Sequence, residues 1–435
     1  MQRYVLTALS MGVGAAAVVI VAIFLGAFSG MAGWLESFFL SRNFVSADSM
    51  NRLFWLELIL VVVVSIGVSW CVIDVAQVGQ KVLIACCCGV LTLGLAPTLA
   101  LYGVVFDPLP ALVGATIAAV GGFIFSGTER GMRKRVLQDL LGRRVSHQTF
   151  NALLSADHPP DFDGAVREVT VLTCRIFNHG ELREKLEPSD LMKMSNLFLR
   201  SVSTFLTSRG AYLDESGAEL VRVFFGMIQP SEDHAERACR AALELRSRLR
   251  NLNQECESRW FQPLLYGIGI NSGPMTVGVY GSRGHFYFSG VGAVTEYSRR
   301  LAQANSRYGS DLLVGAEAYH QLRDRFEFRP MEMFYDPDKE IMTEIYQLLA
   351  TETDFSEEQC ERRDLFWEGV ILLREKQYDE ALQRFSKVRI AGGGDQPAEY
   401  FLAMAQEALA NPDGAESNDA TQLTDEGHAR LISQM

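Results

Sequence analysis

The stretch REVTVLTCRIFNHGEL, residues 167–182, alternates apolar and polar side chains from Val169 to Cys174 and then places Arg175 where the apolar run ends. Alternation with a period of two is the pattern of a half-buried strand. A helix-forming segment with the spacing of an amphipathic face follows at 189–208, and further strands are expected at AYLDES, LVRVFFG, LLYGIGIN, MTVGVYG, FYFSG and LLVG. Two more helices are expected at 234–251 and 293–308. Ser189 is the expected N-cap of the first helix. A short turn around Gly217 joins two of the strands as a hairpin, and helices connect the others. The order is βαββαβ, an α+β arrangement of ferredoxin-like type, with helices over one face of a sheet.

Outward from this core, composition divides the chain. Of 435 residues, 48% are hydrophobic, an excess for a wholly soluble protein, and it is concentrated in the first 127 residues, where charges nearly vanish. Four apolar runs at 4–34, 53–73, 82–106 and 108–126 are each long enough to span a hydrocarbon core of about 30 Å. The first is too long for the apolar region of a cleaved leader. Cationic flanks (the opening MQR, Lys81 in the second loop, ERGMRKR and GRR after the fourth run) place those sides inside, against Arg42 and Arg52 in the outer loop. The expected topology is multi-pass in a cell inner membrane with both termini cytoplasmic. The outer loop at 41–52 and the turn DPLP are too short for a folded external sensor. Glu57 reads either as a functional intramembrane carboxylate or as an interfacial residue beside Trp55.

The net charge of −12 excludes a general nucleic-acid binder, which needs a cationic surface. Eight cysteines show no metal-binding spacing and read as buried thiols. After a helical linker at 128–164, the soluble domain occupies 165–350. A helical segment at 351–410 places Gly369, Tyr378, Ala381 and Phe385 at the spacing of a tetratricopeptide-like all-α hairpin, which needs a neighbour to bury its apolar face. That neighbour is either the preceding domain or a protein partner. The acidic tail at 411–435 reads as disordered.

Five collinear segments, REVTVLTCRI, RGAYLDESGAELVRVFFG, HAERACRAALELRSRLRNLN, GIGINSGPMTVGVYGS and FYFSGVGAVTEYSRRL, resemble the catalytic domain of class III adenylate and guanylate cyclases. The linker GRRVSHQTFNALL is similar to the segment preceding bacterial cyclase domains. The resemblance implies a head-to-tail homodimer or heterodimer with ATP or GTP at the interface. One subunit would supply two aspartates for two divalent ions. The other would supply two base-reading residues, an asparagine and an arginine. Metals there offset charge as the ribose hydroxyl attacks the α-phosphate, and the guanidinium stabilises the equatorial oxygens.

Carried residue by residue, the resemblance puts the metal-binding aspartates at Arg175 and Glu219 and the base-reading residues at Glu215 and Ala293. The asparagine falls at Glu296, and only the transition-state arginine is retained, as Arg300. A guanidinium cannot be deprotonated and repels Mg²⁺ or Mn²⁺, while Glu215 and Glu296 add negative charge facing a triphosphate. The expectation is a membrane-bound pseudo-cyclase with no cofactor, in which an Arg175–Glu219 ion pair replaces the metal link. The rivals are an active cyclase using Glu219 with Mg²⁺ or Mn²⁺, and a nucleotide sensor without turnover. Arg300 beside Arg299 reads equally as a catalytic relic and as a solvated charge. Gly267, Gly269, Gly273, Gly278 and Gly281 read as sites of close backbone approach. His234 and His285 read as capping or surface residues, and Thr173 and Ser289 have no partners for nucleophilic chemistry.

Overall fold

The computed structural model describes residues 2–30, 33–34, 37, 51–75, 78–102, 104–128, 136–156, 162, 164–282, 285–336, 341–392 and 394–410. Most of the loop at 41–52 and the whole acidic tail at 411–435 lie outside them. The chain divides into two compact units, Met1–Asp139 with Asn151–Pro159, and Leu140–Phe150 with Pro160–Met435.

The first unit holds helices Gln2–Phe24, Phe54–Asp74, Val78–Ala100 and Leu109–Ser126. Each contains a segment long and apolar enough to cross a membrane: Leu6–Phe24, Phe54–Asp74, Gly79–Ala100 and Leu109–Ser126. Small residues let the helices approach closely, because a Cβ on Gly12 would meet the Ile66 backbone and one on Gly114 would meet the Ser65 hydroxyl. Ser69 Oγ donates to the Ala8 carbonyl at 2.9 Å. Glu57, read from sequence either as a functional intramembrane carboxylate or as an interfacial residue, is buried, and its Oε1 accepts the Asp107 N–H at 3.0 Å. One side chain differs from the sequence expectation. Lys81, expected in a loop, lies in the first turn of Val78–Ala100. It is buried with its Nζ 5.9 Å from the Phe123 ring centroid, the aliphatic stem packing while the cation meets a π face. Two two-residue strands, β1 (Asn51–Arg52) and β2 (Val104–Val105), pair in parallel.

The second unit is built on an eight-stranded sheet. Its strands are β3 (Ala165–Ile176), β4 (Tyr212–Ser216), β5 (Leu220–Phe225), β6 (Tyr266–Ser282), β7 (His285–Val291), β8 (Leu312–Gly315), β9 (Phe326–Asp336) and β10 (Ile341–Thr351), in the order β4-β5-β3-β6-β8-β10-β9 with β7 on β6. β3 is antiparallel to both β5 and β6. Helices Pro188–Ser208 and His234–Trp260 cover one face, where Leu172, Cys174, Phe198, Val202, Leu245, Ile268 and Ile270 form the core.

The opposite face is also covered, contrary to the single helical layer expected from sequence. Helix Ala293–Tyr308 lies on it because Gly267 and Gly269 have no Cβ: one at Gly267 would fall 2.1 Å from the Ala302 carbonyl oxygen, and one at Gly269 2.2 Å from that of Ser298. The expected pair LLYGIGIN and MTVGVYG is one strand of 17 residues. It passes through Pro274, which sits opposite Glu168 and is exposed. The hairpin of β9 and β10 was not anticipated. The first helix begins one residue before Ser189, at Pro188 with Glu187 as N-cap, since proline is pre-shaped for the first helical position.

Helices Glu357–Arg374, Tyr378–Gly392 and Gln396–Ala410 complete the unit. Ser356 and Gln359 form a reciprocal capping box at the start of the first. A Cβ on Gly369 would lie 2.8 Å from the Phe385 ring, so glycine sets the close packing of the first two helices. Phe366, Phe385 and Phe401 are buried against Leu301, Tyr308, Leu313, Met331 and Ile345. Each such ring contributes about 2–3 kcal/mol by leaving water. Of the two neighbours allowed by the sequence, the preceding domain is the one that covers this face.

Candidate functional site

Arg175 is the penultimate residue of β3, paired with Leu220 of β5 on one side and Gly267 of β6 on the other. Its Nη2 is 3.5 Å from Glu219 Oε1, and the side chains are 19% and 45% exposed. Glu219 directly precedes β5, and its carbonyl accepts the Ile176 N–H at 2.8 Å, which holds the two residues in register. His179, first residue of the short helix His179–Lys185, brings Nδ1 to 3.8 Å from Glu219 Oε2. The Arg175 Nε and His179 Nε2 atoms are buried without a hydrogen-bond partner among the described residues.

On the β4–β5 hairpin, Arg222 Nη2 lies 2.9 Å from Glu215 Oε2 and 2.8 Å from Asp214 Oδ2. Asp214 also accepts from the Ser289 hydroxyl of β7. A bulge between Leu213 and Glu215 lets both carboxylates reach one guanidinium. Asp214 was not singled out by sequence reasoning. Its signal, an acidic residue inside an alternating strand, needs the bulge before it means anything. Arg144, from the segment before β3, closes this edge: its carbonyl accepts the Leu213 N–H at 2.7 Å, Nη1 donates to the Asp214 carbonyl at 2.7 Å, and the guanidinium stands 5.3 Å from the Tyr287 ring centroid.

The third cluster is on helix Ala293–Tyr308. Ala293 is its first residue, after Gly292 as N-cap. Glu296 accepts Arg299 Nε at 2.9 Å and Nη2 at 2.6 Å, and Arg300 Nε at 3.3 Å. These are i,i+3 and i,i+4 neighbours, so the helix itself forms the clamp. Hydrogen bonds from Arg299 hold the Glu296 carboxyl below the usual carboxylate range, against the opposing effect of burial, with the Arg299 and Arg300 charges adding to the lowering. The same bonds raise Arg299, and the Glu215 carboxylate adds a smaller effect in that direction.

The structure thus brings Arg175 into contact with Glu219 and sets Glu215 on Arg222 and Glu296 on Arg299 and Arg300. Each carboxylate at a sequence-selected position faces an arginine. Two buried polar cross-links stand behind them. Thr170 Oγ1 lies 2.7 Å from both His234 Nδ1 and Ser272 Oγ, which corrects the surface or capping role expected for His234. Burial lowers the His234 pKa, with the Glu168 and Asp233 charges opposing. Ser298 Oγ lies 2.9 Å from both the Gly269 carbonyl oxygen, to which it can donate, and Thr173 Oγ1, from which it can accept, tying helix Ala293–Tyr308 to β3 and β6. The side chain of His285 is outside the described ones.

No family model matches the chain. Among curated proteins it is 29% identical over 154 residues to the soluble guanylate cyclase gcy-32 of Caenorhabditis elegans, covering 35% of this chain and 21% of that one. It is 22% identical over 184 residues to adenylate cyclase 1 of Rhizobium meliloti (strain 1021), covering 42% of this chain and 28% of that one. The match therefore spans less than a third of these relatives' own lengths. Among solved structures, the guanylyl cyclase Cya2 aligns with 25% identity and a TM-score of 0.39 over 43% of this chain and 95% of that one. The adenylyl cyclase CyaB from P. aeruginosa aligns with 24% identity and a TM-score of 0.41 over 45% and 100%. The sequence matches make part of this chain homologous to adenylate and guanylate cyclases.

Proposed function

We propose that this protein is a membrane-anchored, cyclase-like signalling protein without cyclase activity. In this reading it acts through dimerisation of its cyclase-like unit or through a protein partner, from an inner membrane with both termini cytoplasmic. The observation that carries the reading is the Arg175–Glu219 contact of 3.5 Å. In the resembled family these two positions hold the metal-binding aspartates. Here a permanent cation stands against the one remaining carboxylate.

Two divalent ions do not fit this donor set. One carboxylate oxygen faces a guanidinium and the other faces His179 Nδ1 at 3.8 Å, so these three side chains offer a single carboxylate where a two-ion site needs several anionic oxygens. The base-reading and transition-state positions support the same conclusion. Glu215 is engaged by Arg222, and Arg300 is drawn to Glu296, the residue at the asparagine position. Those carboxylates add charge of the wrong sign beside a triphosphate.

The test is cyclic nucleotide formation by the purified full chain in detergent, with Mg²⁺ or Mn²⁺ and either ATP or GTP. The expected result is no product above a protein-free control. Turnover that disappears in Arg300→Ala would overturn the reading in favour of an active cyclase using Glu219.

A further inference from the structure

We propose that the outer face of helices Pro188–Ser208 and His234–Trp260 is a docking surface for anionic lipid headgroups. It rests on the membrane-anchored reading above and is independent of whether the second unit turns over a nucleotide. From Leu191 to Leu213 the sequence holds three cations, Lys193, Arg200 and Arg209, and no acidic residue. From His234 to Arg250 it holds five arginines against Glu236 and Glu244. The whole chain carries −12, so these cations are gathered on two neighbouring helices against the overall balance.

The fold joins them into one patch. The ring of buried Phe205 lies under two guanidinia, Arg248 at 4.4 Å and Arg209 at 5.3 Å from its centroid. Arg237 Nη2 donates to the Arg209 carbonyl at 3.4 Å, and Arg240 Nη2 lies 2.9 Å from Glu236 Oε1, whose other oxygen meets Arg325. Glu244 meets Arg209, and Asp233 stands 3.9 Å from Arg237. Arg248 meets no carboxylate among the described residues. Five guanidinia thus share three carboxylates, and all but the half-buried Arg237 are exposed. The Phe205 ring holds two of the forks flat, so less side-chain freedom is lost when a ligand arrives. A planar fork matches phosphate oxygens two at a time. Four helices of membrane-spanning length in the same chain keep lipid phosphates at high effective concentration, where individually weak contacts add.

The test places the full chain in nanodiscs of phosphatidylcholine and adds sucrose-loaded vesicles, either phosphatidylcholine alone or with about one-third phosphatidylglycerol, empty discs serving as the blank. The expected result is co-sedimentation with the anionic vesicles, none with the neutral ones, and loss of binding as salt rises to about 0.5 M. Combining Arg209→Gln with Arg248→Gln should weaken binding about tenfold or more. The control Arg384→Gln, which removes a cation paired with Glu368 on the C-terminal helices, should bind as the wild type does. If the first double variant does not fold, Arg237→Gln with Arg240→Gln carries the test. No binding to anionic vesicles, equal binding to neutral ones, or an affinity unchanged in the folded double variant would overturn the proposal. Retention on immobilised polyglutamate without binding to anionic vesicles would assign the face to an acidic polypeptide and overturn it as well. Incorporation of the chain into the discs reports separately on the membrane-anchored reading.

Discussion

Two arginine–carboxylate pairs in the second unit are chemically alike and physically opposite. Arg329 of β9 is buried: Nη1 and Nη2 donate to the two oxygens of Asp395 at 2.6 and 2.8 Å, Nε donates to Gln347 Oε1 at 2.7 Å, and the guanidinium lies 4.3 Å from the Phe366 ring centroid. Asp395 precedes helix Gln396–Ala410, so the pair locks the C-terminal helices to the sheet. Arg175 instead makes one long contact with a half-exposed carboxylate and keeps a buried donor unmatched. A pair that uses the whole fork marks a seam of the fold. One that leaves part of it unused marks a place where the chain has not closed its own chemistry.

The largest effect should follow from breaking the seam. Asp395→Ala leaves Arg329 buried and unpaired, and should cost about 3–5 kcal/mol in chemical denaturation of the full chain. Replacing both residues with apolar ones, Arg329→Met with Asp395→Leu, should recover most of that loss, since no uncompensated charge remains. A loss below about 1 kcal/mol for Asp395→Ala would place this pair with ordinary surface bridges and erase the contrast.

Acid sharpens the same contrast. Burial alone would raise the Asp395 carboxyl, but the Arg329 hydrogen bonds and charge outweigh it and hold the group below its usual range. A depressed folded pKa contributes stability that is complete above the ordinary carboxylate value of about 3.9 and is lost as pH falls through the lower folded value. Wild type and Asp395→Asn should therefore differ in unfolding free energy at neutral pH and converge below that window. A difference that persists unchanged in strong acid would show that the charge of Asp395 is not what holds the seam.

Sequence reasoning reached the strands around Arg175 because their alternation is local. It failed where neighbours came from far along the chain. His234 looked like a helix-start residue, yet its partners Thr170 and Ser272 come from two other strands. β6 looked like two strands because SGP interrupts the pattern, but an exposed proline costs a sheet little when its missing N–H is not needed inward. β9 and β10 were hidden by Pro330 and by the polar sequence DPDKE at 336–340. Gly267 and Gly269 were legible as points of close approach, and a helix at 293–308 was legible too, but not that this helix is the one packed on them. At the site, the residue types were legible one by one. The bulge that turns Asp214 and Glu215 onto one arginine has no local signature in YLDES.

The smallest stability effect belongs to the looser pair. Combining Arg175→Asp with Glu219→Asp removes the ion pair and sets two carboxylates in its place. In EDTA the loss should stay within about 1 kcal/mol, because a single 3.5 Å contact to a half-exposed carboxylate contributes little and water screens the new repulsion. Adding Mn²⁺ should raise the unfolding midpoint of this variant and leave the wild type unmoved, since an ion that binds only the folded state stabilises it by mass action. A loss above about 2 kcal/mol in EDTA would move Arg175 into the same class as Arg329. It would also make its guanidinium a structural strut, with the unmatched Nε an incidental cost of that role.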